Sequence, residues 1–235
     1  MTFYHGTAAR FYYGALDFSG YTEQVEAQLS RSMAEYRVLN AAGVGRIAGS
    51  RDVRVALTGG PLDTAAGAND VIAFDMLDDG TEDAWAFMPY GDVLGRVAYL
   101  GVSLGENQQR VAGDDVIRLP IALVTSKHLD RGVVLRALAA GGASPGTSVD
   151  NTSATAAGGA GYLICTANAG TLDVVIQHST NNVDWVDLVT FTQLAGSAEG
   201  SEAIALAVDA DVYRYLRATW TIGVTATFFV AFGRR

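Results

Sequence analysis

The stretch Tyr21-Thr22-Glu23-Gln24-Val25-Glu26-Ala27-Gln28-Leu29-Ser30, entered through Asp17-Phe18-Ser19-Gly20, decides how this chain is read. It has an echo at Arg51-Asp52-Val53-Arg54-Val55-Ala56-Leu57-Thr58-Gly59. In the first run Tyr21, Val25, Ala27 and Leu29 share one parity, with Glu23 the exception. Thr22, Gln24, Glu26, Gln28 and Ser30 share the other. In the echo Val53, Val55 and Leu57 alternate with Arg54, Ala56 and Thr58. Side chains on a strand point to opposite faces in turn, so each run can bury one face and wet the other. Tyr21, Val25, Leu29, Met33 and Tyr36 also fall at helical spacing. The unbroken polar parity favours strands, and two such strands suit a sheet with a core behind it and a polar wall in front.

Composition bounds the rest. The chain has 235 residues, enough for one large or two modest domains, and 49% hydrophobic content, enough for a real core. Twenty-seven glycines against four prolines point to many tight turns. A net charge of −9 argues against binding nucleic-acid phosphates, which such a surface repels. Cys165 is the single cysteine and cannot form an internal disulfide, which fits folding in a reducing cytoplasm. Met1 to Gly6 is too short and mixed for a secretory signal core, and no apolar run is long enough to span a bilayer. No membrane insertion is expected.

Taken in order, Arg10–Leu16 reads as a first aromatic strand. Met33–Ser50, small, polar and glycine-dotted, reads as a long loop between the two main strands. Asn69–Leu77 is the helix candidate, capped by Asn69 or Asp70, with Val71, Phe74 and Leu77 three apart and Gly80 to end it. Asp78 and Asp79 sit at its unfavourable negative end. Trp85–Met88, Arg96–Leu104 and Val116–Thr125 read as strands, the last two with Ala98, Leu100, Val102 and Leu104, and Ile117, Leu119, Ile121 and Leu123, on their dry sides. Pro120 argues for an edge or bulge, and Gly105–Asp115 reads as a hairpin loop. After Gly132–Ala140, the run Gly141-Gly142-Ala143-Ser144-Pro145-Gly146 marks a turn or hinge. Short strands then recur at Tyr162–Ala167, Leu172–His178, Trp185–Phe191, Ile204–Val208, Val212–Ile222 and Thr225–Phe232. Leu172/Val174/Ile176, Ile204/Leu206/Val208 and Ala226/Phe228/Val230/Phe232 are their core faces. That pattern predicts an antiparallel sandwich. The chain is expected to divide into residues 1–132 and 133–235.

Motifs for chemistry are weak. Gly101-Val102-Ser103-Leu104-Gly105 matches a nucleophile elbow in letters, but Ser103 lies within an alternating strand and no suitable Asp and His follow. Asp75-Met76-Leu77-Asp78-Asp79-Gly80 has Leu77 at a ligand position of a calcium loop and Ala86 where its bidentate glutamate belongs, and reads as a solvated helix end. Gly43, Gly45 and Gly49 lack the spacing of a dinucleotide loop. His5, His128 and His178 do not cluster, Cys165 reads as a small buried hydrophobe, and no zinc set is present. Ser179-Thr180-Asn181-Asn182-Val183-Asp184-Trp185 is similar to the Ser-x-Asp-x-Gly hairpin box of sugar-active β-folds, and its side chains are expected to tie a turn. Trp185 and Trp220 read as core-facing. No enzyme, cofactor or metal is expected.

With these residues in view the chain resembles the major tail tube proteins of long-tailed, siphovirus-like bacteriophages. Asp17-Phe18-Ser19-Gly20-Tyr21, then Gly45-Arg46-Ile47-Ala48-Gly49-Ser50-Arg51-Asp52 running into Val53–Gly59, is similar to that family's opening strand, long loop and return strand. Arg131-Gly132-Val133 through His178-Ser179 and Trp185 to Arg214–Ala218 resembles the β-sandwich appended to some of its members. Ala48 stands where many relatives carry Pro, and Met33–Val44 is less clearly β than usual. The resemblance implies a mainly β fold: a tail-tube β-sandwich or barrel with one packed helix and a long inter-subunit loop, then a C-terminal antiparallel β-sandwich. It implies stacked hexameric rings forming a hollow filament in the virion, with the appended sandwich outside. It also implies tape-measure, tail-tip and terminator proteins as partners, and DNA passing without specific binding. Gln24, Glu26, Gln28, Arg54 and Thr58 would then face the lumen, with Glu26 neutralising Arg54. A polar, acidic wall repels phosphate over a Debye length of about 8–10 Å. Met33, Tyr36, Arg46, Ile47 and Arg51 would lie on the inter-subunit loop. The alternative is a virion decoration or fibre protein binding host-surface glycans through its C-terminal sandwich.

Overall fold

The computed structural model describes residues 8–37, 43–65, 68–78, 80–112, 116–125 and 129–235. The protein is mainly β, with antiparallel sheets and one α-helix among the described residues. It divides into two compact units, each built from separated stretches of chain. The first comprises residues 1–21, 82–102 and 129–235, and the second residues 22–81 and 103–128. The division expected at 132/133 falls inside a strand, Asp130–Ala140, that pairs with both earlier and later strands. Glycine-rich punctuation at Gly141 and Gly142 marks the end of that strand, where both residues take positive φ, and not a domain boundary.

The first unit begins with β1 (Arg10–Tyr13), which turns at Gly14 into β2 (Leu16–Asp17). The expected single strand Arg10–Leu16 is therefore a tight hairpin. Asp17–Tyr21 closes it as one 3-10 turn: Ser19 N–H donates to Asp17 Oδ1 at 2.8 Å, and Phe11 N–H donates to Ser19 Oγ at 3.0 Å. The turn drives Phe18 into the core against the edges of Phe11 and Tyr13. β3 (Gln24–Tyr36), β4 (Gly45–Thr58) and α1 (Asn69–Asp78) belong to the second unit. β5 (Asp83–Met88) pairs with β1, and β6 (Val97–Gln108) is long enough to serve both units. β7 (Ile121–Thr125) belongs to the second, and β8 (Asp130–Ala140) returns to the first.

From β8 onward the strands form the expected sandwich. β8, β10 (Gly159–Asn168), β15 (Ala226–Arg234) and β13 (Gly200–Ala205) make one layer. β12 (Val186–Thr190), β11 (Leu172–Ser179), β14 (Tyr215–Ile222) and β9 (Val149–Asp150) make the other. Leu172, Val174 and Ile176 meet Phe228, Val230 and Phe232 in a continuous core. The third expected core face holds in part: Ile204 and Leu206 are partly buried and pack against this core, while Val208 is exposed beyond the end of β13 at Ala205. The first layer buries its second face too, where Phe229, Ala231, Tyr162 and Ile164 pack with Tyr12, Met88 and Leu100. There the sheet curls until Ser201 of β13 donates to Asp83 Oδ1 and accepts from Ala84 N–H of β5.

The second unit is the four-stranded antiparallel order β3-β4-β7-β6 with α1 on one face. Gly105 of β6 lets the helix approach: a Cβ there would lie 3.0 Å from the Met76 carbonyl oxygen. The Gly105–Asp115 loop is corrected, since β6 continues to Gln108 with a bulge around Glu106. Strand β7 is shorter than expected; Leu119, Ile121 and Leu123 are buried as read, while Ile117 is exposed.

The largest correction concerns Met33–Ser50. Its described strand residues, 33–36 and 45–50, form the outer half of a ribbon, in which Met33 faces Ala48, Ala34 faces Ile47, Glu35 faces Arg46 and Tyr36 faces Gly45. A bulge between Arg31 and Met33 sets this register, and a Cβ at Gly49 would displace the Ser32 hydroxyl packed against it. These residues bury neither face, so the alternation that marks half-buried strands is missing from their sequence.

Candidate functional site

The wet face of the second unit begins at β3 and β4. Register places Gln24 opposite Thr58, Glu26 opposite Ala56 and Gln28 opposite Arg54. Gln24, Glu26, Gln28, Arg54 and Thr58 are all exposed. The opposite parity pairs Val25 with Leu57, Ala27 with Val55 and Leu29 with Val53. Val53, Val55 and Leu57 are buried, so the two runs present the two faces their alternation requires. β7 extends the wet face with Ala122 beside Ala56 and Val124 beside Arg54.

Arg54 is neutralised, though not by Glu26. Its ion pairs run to Glu106 at 3.4 Å and Asp52 at 3.7 Å. Glu106 sits at the β6 bulge, a position that strand reading from sequence left in a loop. Arg118 similarly meets Glu23 at 3.1 Å. The face is thus polar, with Arg54 covered by carboxylates.

β3 pairs with β4 alone among the described residues, so one edge of a 13-residue strand carries no partner. Beyond Val53 the ribbon has no third strand among those residues, since β7 reaches only Arg54. The expected loop residues Met33, Tyr36, Arg46, Ile47 and Arg51 all belong to its strands. Leu29 and Met33 are each 61% exposed and Ile47 is 59% exposed. Arg46 pairs with Glu35 across the ribbon at 2.9 Å.

The helix turns a different face inward from the one expected. Asn69, Ala73 and Met76 are buried, while Val71, Phe74 and Leu77 are exposed. Asn69 does not cap the helix. Its amide accepts from Asp63 N–H and donates to the Pro61 carbonyl, tying down the preceding segment. Asp70 pairs with Arg110.

The remaining candidates resolve individually. Ser103 is fully buried in β6 and shares a hydrogen bond with Thr125 at 3.0 Å. His5 and His128 lie outside the described residues. His178 is buried, stacked on Tyr213, and its Nδ1 accepts from Tyr213 N–H at 3.2 Å. Burial first, and then Arg234, hold its pKa below the ordinary value. Cys165 is buried in β10, and desolvation raises its thiol. Ser179 and Asn181 tie the 179–184 turn: Ser179 Oγ accepts from the N–H groups of Asn181 and Asn182, and Asn181 Oδ1 from those of Val183 and Asp184. Trp220 packs edge-on against Phe228, as a core residue should. Trp185 does not join the core. It lies beneath the Arg217 guanidinium at 4.1 Å, and Arg217 donates to Gln177, which donates to Asp187.

No family model and no curated protein matches the chain. Among solved structures it is similar to a chain of the virion of a native gene transfer agent particle, at 13% identity and a TM-score of 0.43, covering 55% of this chain and 98% of that one. It is similar to the SPP1 Dit protein, described as a hub of the adsorption apparatus, at 13% identity and a TM-score of 0.37, covering 96% of this chain and 98% of that one. A chain of the phage p2 baseplate has 8% identity and a TM-score of 0.37, covering 97% of this chain and 98% of that one. Scores of this size fall short of a shared fold and carry no functional inference.

Proposed function

We propose that this protein is a structural component of a phage virion that assembles with copies of itself into stacked hexameric rings, forming a tail tube that conducts DNA. The observation that carries the reading is β3: a long strand with a polar face, whose edge is free and whose distal half has no third strand beside it among the described residues. A long unpaired edge is a template for pairing with another chain, and closing the sheet into a ring removes it. Head-to-tail contacts generate rings and filaments. In such a ring Gln24, Glu26, Gln28, Ala56 and Thr58 line the bore, with Arg54 neutralised by Glu106. DNA then passes a wall that offers it no free cation from Arg54. The tape-measure, tail-tip and terminator proteins are the partners this role requires. Negative-stain microscopy of the purified protein, alone and with a tail initiator, tests the reading. Rings or tubes are expected, and a monomer under every assembly condition would refute it.

A second reading is favoured by one observation. Trp185 stands outside the core, among Arg217, Gln177 and Asp187, a set of planar and polar groups of the kind that hold sugars. The protein would then bind host-surface carbohydrate through its sandwich. Glycan-array binding by the whole chain, lost in Trp185→Ala, would establish this. The whole chain is needed because a cut at 132/133 severs β8.

A further inference from the structure

The second unit exposes two apolar surfaces of unlike charge. One is the outer ribbon, where Leu29 and Met33 are exposed on the same parity as Arg31 and Arg37. Residues 29–53 hold four arginines (Arg31, Arg37, Arg46 and Arg51) and only two carboxylates (Glu35 and Asp52), in a chain of net charge −9. Glu35 is engaged by Arg46. The other surface is the outward stripe of α1. Val71, Phe74, Asp75 and Asp78 follow one another at helical spacing, and all are exposed. The helix carries no basic residue, and its last turn holds negative charge where the dipole disfavours it. Asp75 and Asp78 are therefore poorly placed in the lone subunit and well placed beside a cation.

We infer that the ribbon of one subunit docks on the α1 stripe of the next, with Leu29 and Met33 against Val71 and Phe74, and Arg31 and Arg37 against Asp75 and Asp78. The inference rests on the self-assembly proposed above and names the surfaces that meet. A two-stranded ribbon is marginal in water unless a sheet or helix covers it, and among the described residues none covers its outer half. In the ring proposed above the contact runs head-to-tail and propagates from copy to copy. Opposite charges fix the direction and register, and speed encounter. The occupant is a second copy because the chain carries both halves of the complement, whereas a different partner would require only one.

The test uses full-length protein in two experiments. Met33→Cys and Phe74→Cys are made separately, assembled as a mixture, and oxidised; Cys165 is buried and does not compete. An interchain disulfide is expected in the mixture and in neither variant alone. A link formed by Met33→Cys alone would mean that ribbons meet ribbons and would overturn the inference. Intact rings with no link in the mixture would also overturn it while leaving the assembly reading in place. Failure of the wild type to assemble would remove both. In the second experiment Arg31→Glu is expected to lower the assembled fraction about tenfold, and adding Asp75→Arg to restore it. A double variant no better than Arg31→Glu would contradict the pairing.

Discussion

β15 and β3 are both long strands in antiparallel sheets, yet they solve opposite problems. Phe228, Phe229, Val230, Ala231 and Phe232 are completely buried, alternating between two cores. Among the described residues β3 has a partner on one side only, and it is exposed along almost its whole length. β15 finishes its burial within the chain; β3 leaves its burial unfinished. The difference separates two energies: changes at β15 should act on the stability of one subunit, and changes at β3 on the association of many.

The sharpest break of that comparison is Phe232→Ala. It should cost about 3–5 kcal/mol of subunit stability, read as a lower urea midpoint, because the large ring leaves a cavity between two packed sheets. Asp130 follows. It is buried, accepts from Tyr162 Oη at 2.8 Å and binds the Arg235 guanidinium with both oxygens. Asp130→Ala should cost about 3 kcal/mol in the same assay, since it leaves a buried hydroxyl and a partly buried cation unpaired. Gly105→Val should cost about 1–3 kcal/mol by pushing α1 off β6, and should alter assembly as well.

A pH effect of smaller size comes from His178. Its folded pKa is lowered, by desolvation and by Arg234 against the opposing Asp211. The unfolded chain therefore takes up a proton first as pH falls, and stability is present above the ordinary histidine pKa and lost below it. Urea midpoints should drop between about pH 7 and pH 5, and His178→Phe should flatten that slope. The smallest effect on the subunit is expected at the ribbon. Leu29→Ser should change monomer stability by no more than about 0.5 kcal/mol, yet reduce ring formation. A large loss of monomer stability there would erase the distinction between the two strands.

Alternation made one part of this contrast legible and hid another. Gln24, Glu26 and Gln28 read as one face because Val25 and Ala27 alternate with them over a sheet whose core is Val53, Val55 and Leu57. Met33 to Tyr36 and Gly45 to Ser50 do not read as strands, because residues that bury neither face within the chain carry no burial signal. Helix α1 forms where it is expected, ending one residue later, but its inward face differs for a related reason. Val71, Phe74 and Leu77 are the larger apolar residues, yet Ala73 and Met76 face the sheet, because the close approach at Gly105 favours a small side chain and a flexible one. Arg54 was recognised as needing a carboxylate, but its partner Glu106 comes from a bulge that only the fold reveals. The division at 132/133 misled because β8 bonds to strands from both halves of the chain, and pairing between distant segments leaves no local mark.

The most direct measurement is a reconstruction of the assembled particle by electron cryomicroscopy, at a resolution that shows side chains. The account predicts an annular assembly in which the free edge of β3 is paired with a neighbouring subunit and Gln24, Glu26 and Gln28 face the central channel. An annulus with those three side chains packed in an interior or on its outer rim would contradict it.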